Sequence, residues 1–339
     1  MKIAIISKLW EPTSPNSTGG TGVAIGNLVN GLSDKGHEVT LFATGDSETK
    51  AKELVSVREK SFTNDYSEIQ EFDNIAGAFK REKDFDIIHS AVEHKSLFFS
   101  GIGQTPVLHS IRYGEFFEQE IDILKKYSQE NFVGISKAIA KKFNFLNFQG
   151  IIYNGLNLDD FPWQEEGQDY LIFLARVSSQ KGPHLAIKLA KDLNKKLIIA
   201  GKTSDSDKDY LDKHFWPHID NEQIIYKGEI GFAKKIELLR NAKCLLHPIE
   251  NIFEAFGMSL IEAQALGTPV VSYDNGSPLE VINQGKTGHI VKNYAEMVEA
   301  VKKIDKIKRK DCRQWVEDNF SLEKMVEDYE RLYKKIIDK

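Results

Sequence analysis

Residues 253–271 read FEAFGMSLIEAQALGTPVV: an acidic, glycine-interrupted turn, a short helical stretch, then an apolar run of strand length. Glu254 and Glu262 lie eight positions apart, Glu254 before the helix begins and Glu262 about two turns along one face. Such a pair can grip two polyol groups while the N–H groups of Phe256, Gly257 and Met258 hold a phosphate between them. An acidic first turn complementing the helix dipole would explain Glu254 alone, leaving Glu262 among apolar neighbours.

Outward from this stretch, short apolar runs alternate with helical segments: residues 3–6, 39–42, 87–88, 107–111 and 132–135, then 170–174, 197–200, 224–226, 245–246 and 270–272. That is the pattern of parallel sheets wrapped by helices, and its restart at 170 predicts two α/β halves. The turn-rich residues 154–167 mark the join. The expected organisation is 1–155, 156–315 and a C-terminal helix, 316–339, returning to the first half. Length agrees, since 339 residues suit two domains.

Two further segments can carry anion chemistry. Residues 16–36 place Gly19, Gly20 and Gly22 after the first strand and before an amphipathic helix, allowing close backbone approach to a phosphate; the spacing is neither a dinucleotide fingerprint nor a Walker loop. Arg176 and Lys181 follow the strand at 170–174 and precede a helix opening at Pro183, at the carboxyl strand end where ligands of open α/β sheets gather. A tight turn and a pair of solvated cations are the plain alternatives.

Composition narrows the function. With 45 basic against 50 acidic residues the net charge is −5, which gives nucleic acid no global attraction. Cys244 and Cys312 are too few and too far apart for a C-x-x-C site, so a reducing, cytoplasmic setting is expected. No window reaches the roughly 20 apolar residues of a spanning helix, leaving membrane contact at most peripheral, at the inner face; Lys137, Lys141 and Lys142 beside Phe143 and Phe145 could touch an anionic membrane, though a plain solvated helix face is the favoured reading.

The Glu254–Glu262 spacing within EAFGMSLIEAQALGTPVV resembles the donor-site signature of retaining glycosyltransferases of family 4, with the GT-B fold. Supporting segments include the Gly19-Gly20 loop, residues 36–42, 86–89 and 153–155, Ser136, Arg176 to Gly182, Ala200-Gly201, Gly228-Glu229, His247-Pro248 and residues 278–282. Residues 40–47 and 181–187 look most like an avilamycin-biosynthesis-like branch. The resemblance implies two Rossmann-like domains facing each other across a cleft, the first taking a carbohydrate, glycolipid or small-molecule acceptor and the second a nucleoside-diphosphate sugar. It implies a diphosphate held by Arg176, Lys181 and the Gly19-Gly20 loop, Glu262 on the ribose and Glu254 on the transferred sugar. Gly228, Phe256, Gly257, Met258 and Ser259 complete the donor set. No metal or cofactor is implied, and Asp205-Ser206-Asp207 reads as a solvated turn rather than a metal-binding pair.

Three positions depart from the family pattern. Ala175 stands for a glycine before Arg176, and Gly22 for a glutamate after the double glycine. The family's first-half histidine, counted from Pro106, falls on Arg112, with His109 as the alternative. Strand alternation puts 109 and 112 on opposite faces, favouring Arg112 toward the cleft and His109 as a hydrogen-bonded core residue, unless a bulge reverses the parity. The expected activity is metal-independent, retaining sugar transfer from a UDP- or GDP-linked donor, with Glu254, Arg176, Lys181 and Arg112 as catalytic groups. A sugar-nucleotide 2-epimerase and a silent sugar-nucleotide-binding subunit are the rivals.

Overall fold

Each expected apolar run forms a strand, and all registered strand pairs are parallel. The computed structural model describes residues 1–62 and 65–339. They divide into two units, Met1–Asn157 with Ser321–Lys339, and Leu158–Phe320.

The first unit holds β1 (Lys2–Ile6), β2 (Glu38–Phe42), β3 (Glu53–Val55), β4 (Ile87–Ser90), β5 (Val107–Ile111), β6 (Asn131–Gly134) and β7 (Phe148–Ile151), in the order β3-β2-β1-β4-β5-β6-β7. Alternation along β1 builds both faces of its core. Ile3 and Ile5 pack with Ile25, Val29 and Leu32 of helix Gly20–Asp34, while Ala4 and Ile6 pack with Ile75 and Ala78 of helix Glu68–Lys80. The second unit holds β8 (Tyr170–Leu174), β9 (Lys196–Ala200), β10 (Ile224–Tyr226), β11 (Cys244–His247), β12 (Val270–Tyr273) and β13 (Gly288–Val291), in the order β10-β9-β8-β11-β12-β13. Three of these, β3, β7 and β13, fall outside the apolar runs read from sequence. All lie at sheet edges, where one neighbour is missing and polar residues such as Glu53, Gln149 and His289 are accommodated.

The charged C-terminal stretch is two helices rather than one, Arg309–Asn319 and Leu322–Ile337. Ser321 breaks it, its hydroxyl capping the second helix by accepting from Lys324 N–H. That second helix completes the first unit. Met325, Tyr329, Leu332, Tyr333 and Ile336 enter the core beside Ile25 and Val29, and the Tyr333 hydroxyl lies 2.6 Å from His89 Nδ1. Two glycines permit this approach: a Cβ on Gly31 would lie 2.4 Å from Val326 Cγ2, and one on Gly155 would lie 2.5 Å from the Ser321 carbonyl oxygen.

Gly31→Leu should therefore destabilise the first unit by about 1–3 kcal/mol through overpacking. The check is a lower thermal midpoint by circular dichroism, and an unaltered midpoint would contradict the close seat of helix Leu322–Ile337.

Candidate functional site

The strand order of the second unit reverses between β8 and β11, so the loops leaving these strands diverge around a crevice at their carboxyl ends. After β8 comes Arg176, exposed, with Nη2 3.5 Å from Gln180 Oε1. A turn of 3-10 helix, Ser179–Lys181, leads to Gly182, where φ is +71° and a Cβ would lie 2.2 Å from the Pro248 carbonyl oxygen. Only glycine satisfies both conditions there, so the Lys181 turn is pressed against the end of β11. Gly201, following β9, meets the same demand: its Cβ would lie 1.8 Å from the Ala175 carbonyl oxygen.

Lys181, His247 and Glu254 converge at this crevice. Lys181 Nζ donates to Glu254 Oε2 at 3.0 Å, and His247 Nε2 lies 3.4 Å from the same oxygen. The imidazole is steadied by Ser272, whose Oγ is 2.9 Å from Nδ1 and donates to the Tyr273 carbonyl. Burial pushes the Glu254 carboxyl up, but Lys181 and the His247 hydrogen bond outweigh it and hold it down at about 2. Glu254 is thus a permanent carboxylate, able to accept hydroxyl protons in hydrogen bonds and unable to act as a general acid at neutral pH.

The backbone around Glu254 is strapped down. Glu254 N–H donates to the Asn275 carbonyl, Ser277 N–H donates to the Glu254 carbonyl, and Asn275 Nδ2 donates to the carbonyls of Glu250 and Ile252. Gly257, with φ +79°, then caps helix Met258–Ala265, whose first turn carries Met258 and Ser259. The Phe256 ring is buried edge-on to Phe320, so any ligand role for Phe256 belongs to its backbone. Glu262 is buried with Oε1 2.7 Å from Lys235 Nζ of helix Phe232–Asn241, so a buried charge is compensated by an ion pair. Gly228, with φ +69°, accepts from Gly201 N–H through its carbonyl. Two participants have no role in the sequence reading, His247 and Lys235. A histidine at the carboxyl end of a central strand was a signal for the first; nothing local marked the second.

In the first unit, Gly19 and Gly20 open helix Gly20–Asp34, but the carboxylate of Glu11 occupies its start. Gly22 N–H donates to Glu11 Oε1 at 2.8 Å, and a Cβ on Gly19 would lie 1.1 Å from Glu11 Oε2. Burial raises the Glu11 carboxyl pKa, against the pull of Gly22 N–H, Lys8 and Arg112. Gly22 itself leaves room for the Pro12 carbonyl, 2.4 Å from where its Cβ would be, which explains the missing glutamate. β5 keeps unbroken register with β4 and β6 over its paired residues, Arg112 lies just beyond its end, and His109 and Arg112 have different partners. His109 is buried between Ser96 and Ser100 hydroxyls, each 2.9 Å away, and burial pushes its imidazole down to about 3. Arg112 is buried too, its Nη2 donating to Asn154 Oδ1 at 2.7 Å, with Nε lacking a partner among the described residues.

Asp205 and Asp207 sit on an exposed turn of 3-10 helix, and among the described residues no group of three His, Cys, Asp or Glu side chains is gathered to hold a metal ion. Nor, among those residues, is any helix long and apolar enough to cross a membrane.

Comparison with known proteins converges on one group. Residues 158–321 match the glycosyl transferases group 1 model and residues 18–160 the glycosyltransferase family 4 model. A glycosyltransferase of Methanocaldococcus jannaschii is 24% identical over 336 residues, covering 85% of this chain and 84% of the relative. Among solved structures, a glycosyltransferase involved in avilamycin A biosynthesis superposes with a TM-score of 0.73 at 18% identity, over 100% of this chain and 98% of that one. Anabaena HepE in complex with UDP and glucose gives 0.76 at 16%, over 98% and 99%. With the two models spanning residues 18–321 between them, the chain belongs to glycosyltransferase family 4, a group of GT-B enzymes that use nucleotide sugars.

Proposed function

We propose that this enzyme moves a sugar from a UDP- or GDP-linked donor to an acceptor hydroxyl, with retained anomeric configuration and no metal ion. The carrying observation is the meeting of Lys181, His247 and Glu254 at the strand-order reversal of the second unit. That unit takes the donor and the first unit the acceptor. Glu254, held ionised, accepts hydrogen bonds from the transferred sugar's hydroxyls. Lys181 has two further N–H donors beyond the one on Glu254, and with Arg176 and the start of helix Met258–Ala265 it offsets charge growing on the departing diphosphate. Glu262, oriented by Lys235, holds the ribose. Within the first unit, the Gly19-Gly20 loop can offer its N–H groups to a phosphate once Glu11 yields the Gly22 N–H. The binding of UDP and glucose by Anabaena HepE makes UDP-glucose the first donor to test.

Proton NMR of the new linkage should show the donor's anomeric configuration, and an inverted product overturns the retaining assignment. Incubating donor alone should give at most slow hydrolysis; a change at C2 of the sugar would indicate an epimerase. EDTA should leave the rate unchanged, and rescue of an EDTA-killed enzyme by manganese would refute the metal-free account.

The two glutamates should separate kinetically. Glu262→Ala weakens binding of donor and free nucleoside diphosphate alike, whereas Glu254→Ala lowers turnover and leaves nucleotide affinity nearly intact. Lys181→Ala should cost roughly a hundredfold or more in turnover as preorganised charge is lost. Because the folded pKa of Glu254 lies near 2, below its ordinary value of 4.5, its ion cluster stabilises the fold fully above about 4.5 and fades as pH falls toward 2. The pH–rate profile should accordingly show no acid limb from Glu254 in the neutral and mildly acid range. Equal nucleotide loss in both glutamate variants would contradict the assignment.

A further inference from the structure

The first unit has a strand-order reversal of its own, between β1 and β4, and a pocket of about 430 Å³ opens there. That volume is within the range of small-molecule sites. Its wall comes from the segments after three central strands: Lys8 and Trp10 after β1, Glu93 and His94 after β4, Tyr113 and Phe117 after β5.

Its apolar side is prearranged. Trp10 stacks on Tyr66 with ring centroids 4.6 Å apart and meets Phe62 edge-on, yet stays half exposed. Tyr113 and Phe117 are exposed as well. Fixed aromatic faces open to solvent at a pocket rim suit a flat, partly apolar ring.

Its polar side is anionic and incompletely satisfied. Four glutamates line it, Glu71, Glu93, Glu115 and Glu120, against two lysines that are both already engaged, Lys8 with Glu93 at 2.9 Å and Lys95 with Glu71. Glu93 is held at φ +49°, a strained conformation for a side-chain-bearing residue, and its side chain is only 7% exposed. Lys8 takes Oε2, while Oε1 has no hydrogen-bond partner among the described residues. His94 Nδ1 is equally unpartnered, and burial lowers its imidazole pKa, so the ring is neutral at ordinary pH; with Nε2 turned toward Glu120 at 3.6 Å, Nδ1 is left as an acceptor. Two adjacent buried acceptors without donors call for a ligand that brings hydroxyl groups, and the surplus of carboxylates repels phosphates and uronic acids.

We infer that this pocket binds the acceptor as an uncharged, hydroxyl-rich glycoside, a sugar ring lying on Trp10 and Tyr113 with hydroxyls donated toward Glu93 and His94. Its naming as the acceptor site rests on the transferase reading above; the sugar binding does not. Saturation-transfer NMR on the full chain, with methyl glucoside, methyl galactoside and methyl mannoside as neutral probes and methyl glucuronide and glucose 6-phosphate as anionic ones, tests it. At least one neutral glycoside should bind saturably, weakened tenfold or more in both Trp10→Ala and Glu93→Gln, with the anions weaker than any binding neutral probe. Trp10 is exposed enough that its variant keeps the test alive should Glu93→Gln fail to fold. Anions binding as well as the neutral probes, no neutral probe binding, or unchanged affinity in Trp10→Ala overturns the inference. Thermal stabilisation by UDP and GDP, measured alongside, should be the same in wild type and both variants. If neither nucleotide stabilises the wild type while the glycosides bind, the transferase reading fails and the pocket stands.

Discussion

Every strand-to-strand link in both sheets has to travel back along its sheet before the next strand can begin, because each registered pair is parallel. That constraint places every strand-to-helix loop of a unit at the same end of its sheet. It also makes the reversal of strand order the one place where neighbouring loops part instead of packing side by side. Lys181 and Glu254 in one unit, and Trp10 and Glu93 in the other, come from loops at such a reversal. Glycine sharpens the effect: at Gly182 and Gly201 the backbone of one loop rests directly on another, so functional side chains are borne by turns with little freedom to drift.

Charge in the two units is handled in opposite ways. In the second, each motif carboxylate has a cation, Lys181 for Glu254 and Lys235 for Glu262, and the outcome is ionised acceptors held in fixed positions. In the first, Glu11 covers the positive end of its own glycine-rich helix and is pushed toward protonation by burial.

Much of this architecture is legible in the amino-acid order, since buried parallel strands write themselves as continuous apolar runs and the Glu254–Glu262 spacing marks a helix start. What was illegible depended on long-range company. Edge strands β3 and β7 carry polar residues because nothing covers them, so their pattern is weak. Lys235 is an ordinary surface lysine until helix Phe232–Asn241 brings it to Glu262, and Glu11 lies in a loop whose path no periodicity describes. Parity along β5 assigns His109 and Arg112 to opposite faces, yet it could not tell that Arg112 would be buried against Asn154.

The return of helix Leu322–Ile337 to the first unit sets the order of events during synthesis. Residues 158–320 form a unit that is continuous in sequence and complete in itself, whereas the first unit lacks Met325, Tyr329 and Tyr333 from its core until residues 321–339 have been made. Gly31, Gly155 and the apolar face of helix Gly20–Asp34 therefore remain uncovered while the rest of the chain is made. The half that leaves the ribosome first is the half that finishes folding last, the reverse of the usual N-to-C progression of multidomain chains.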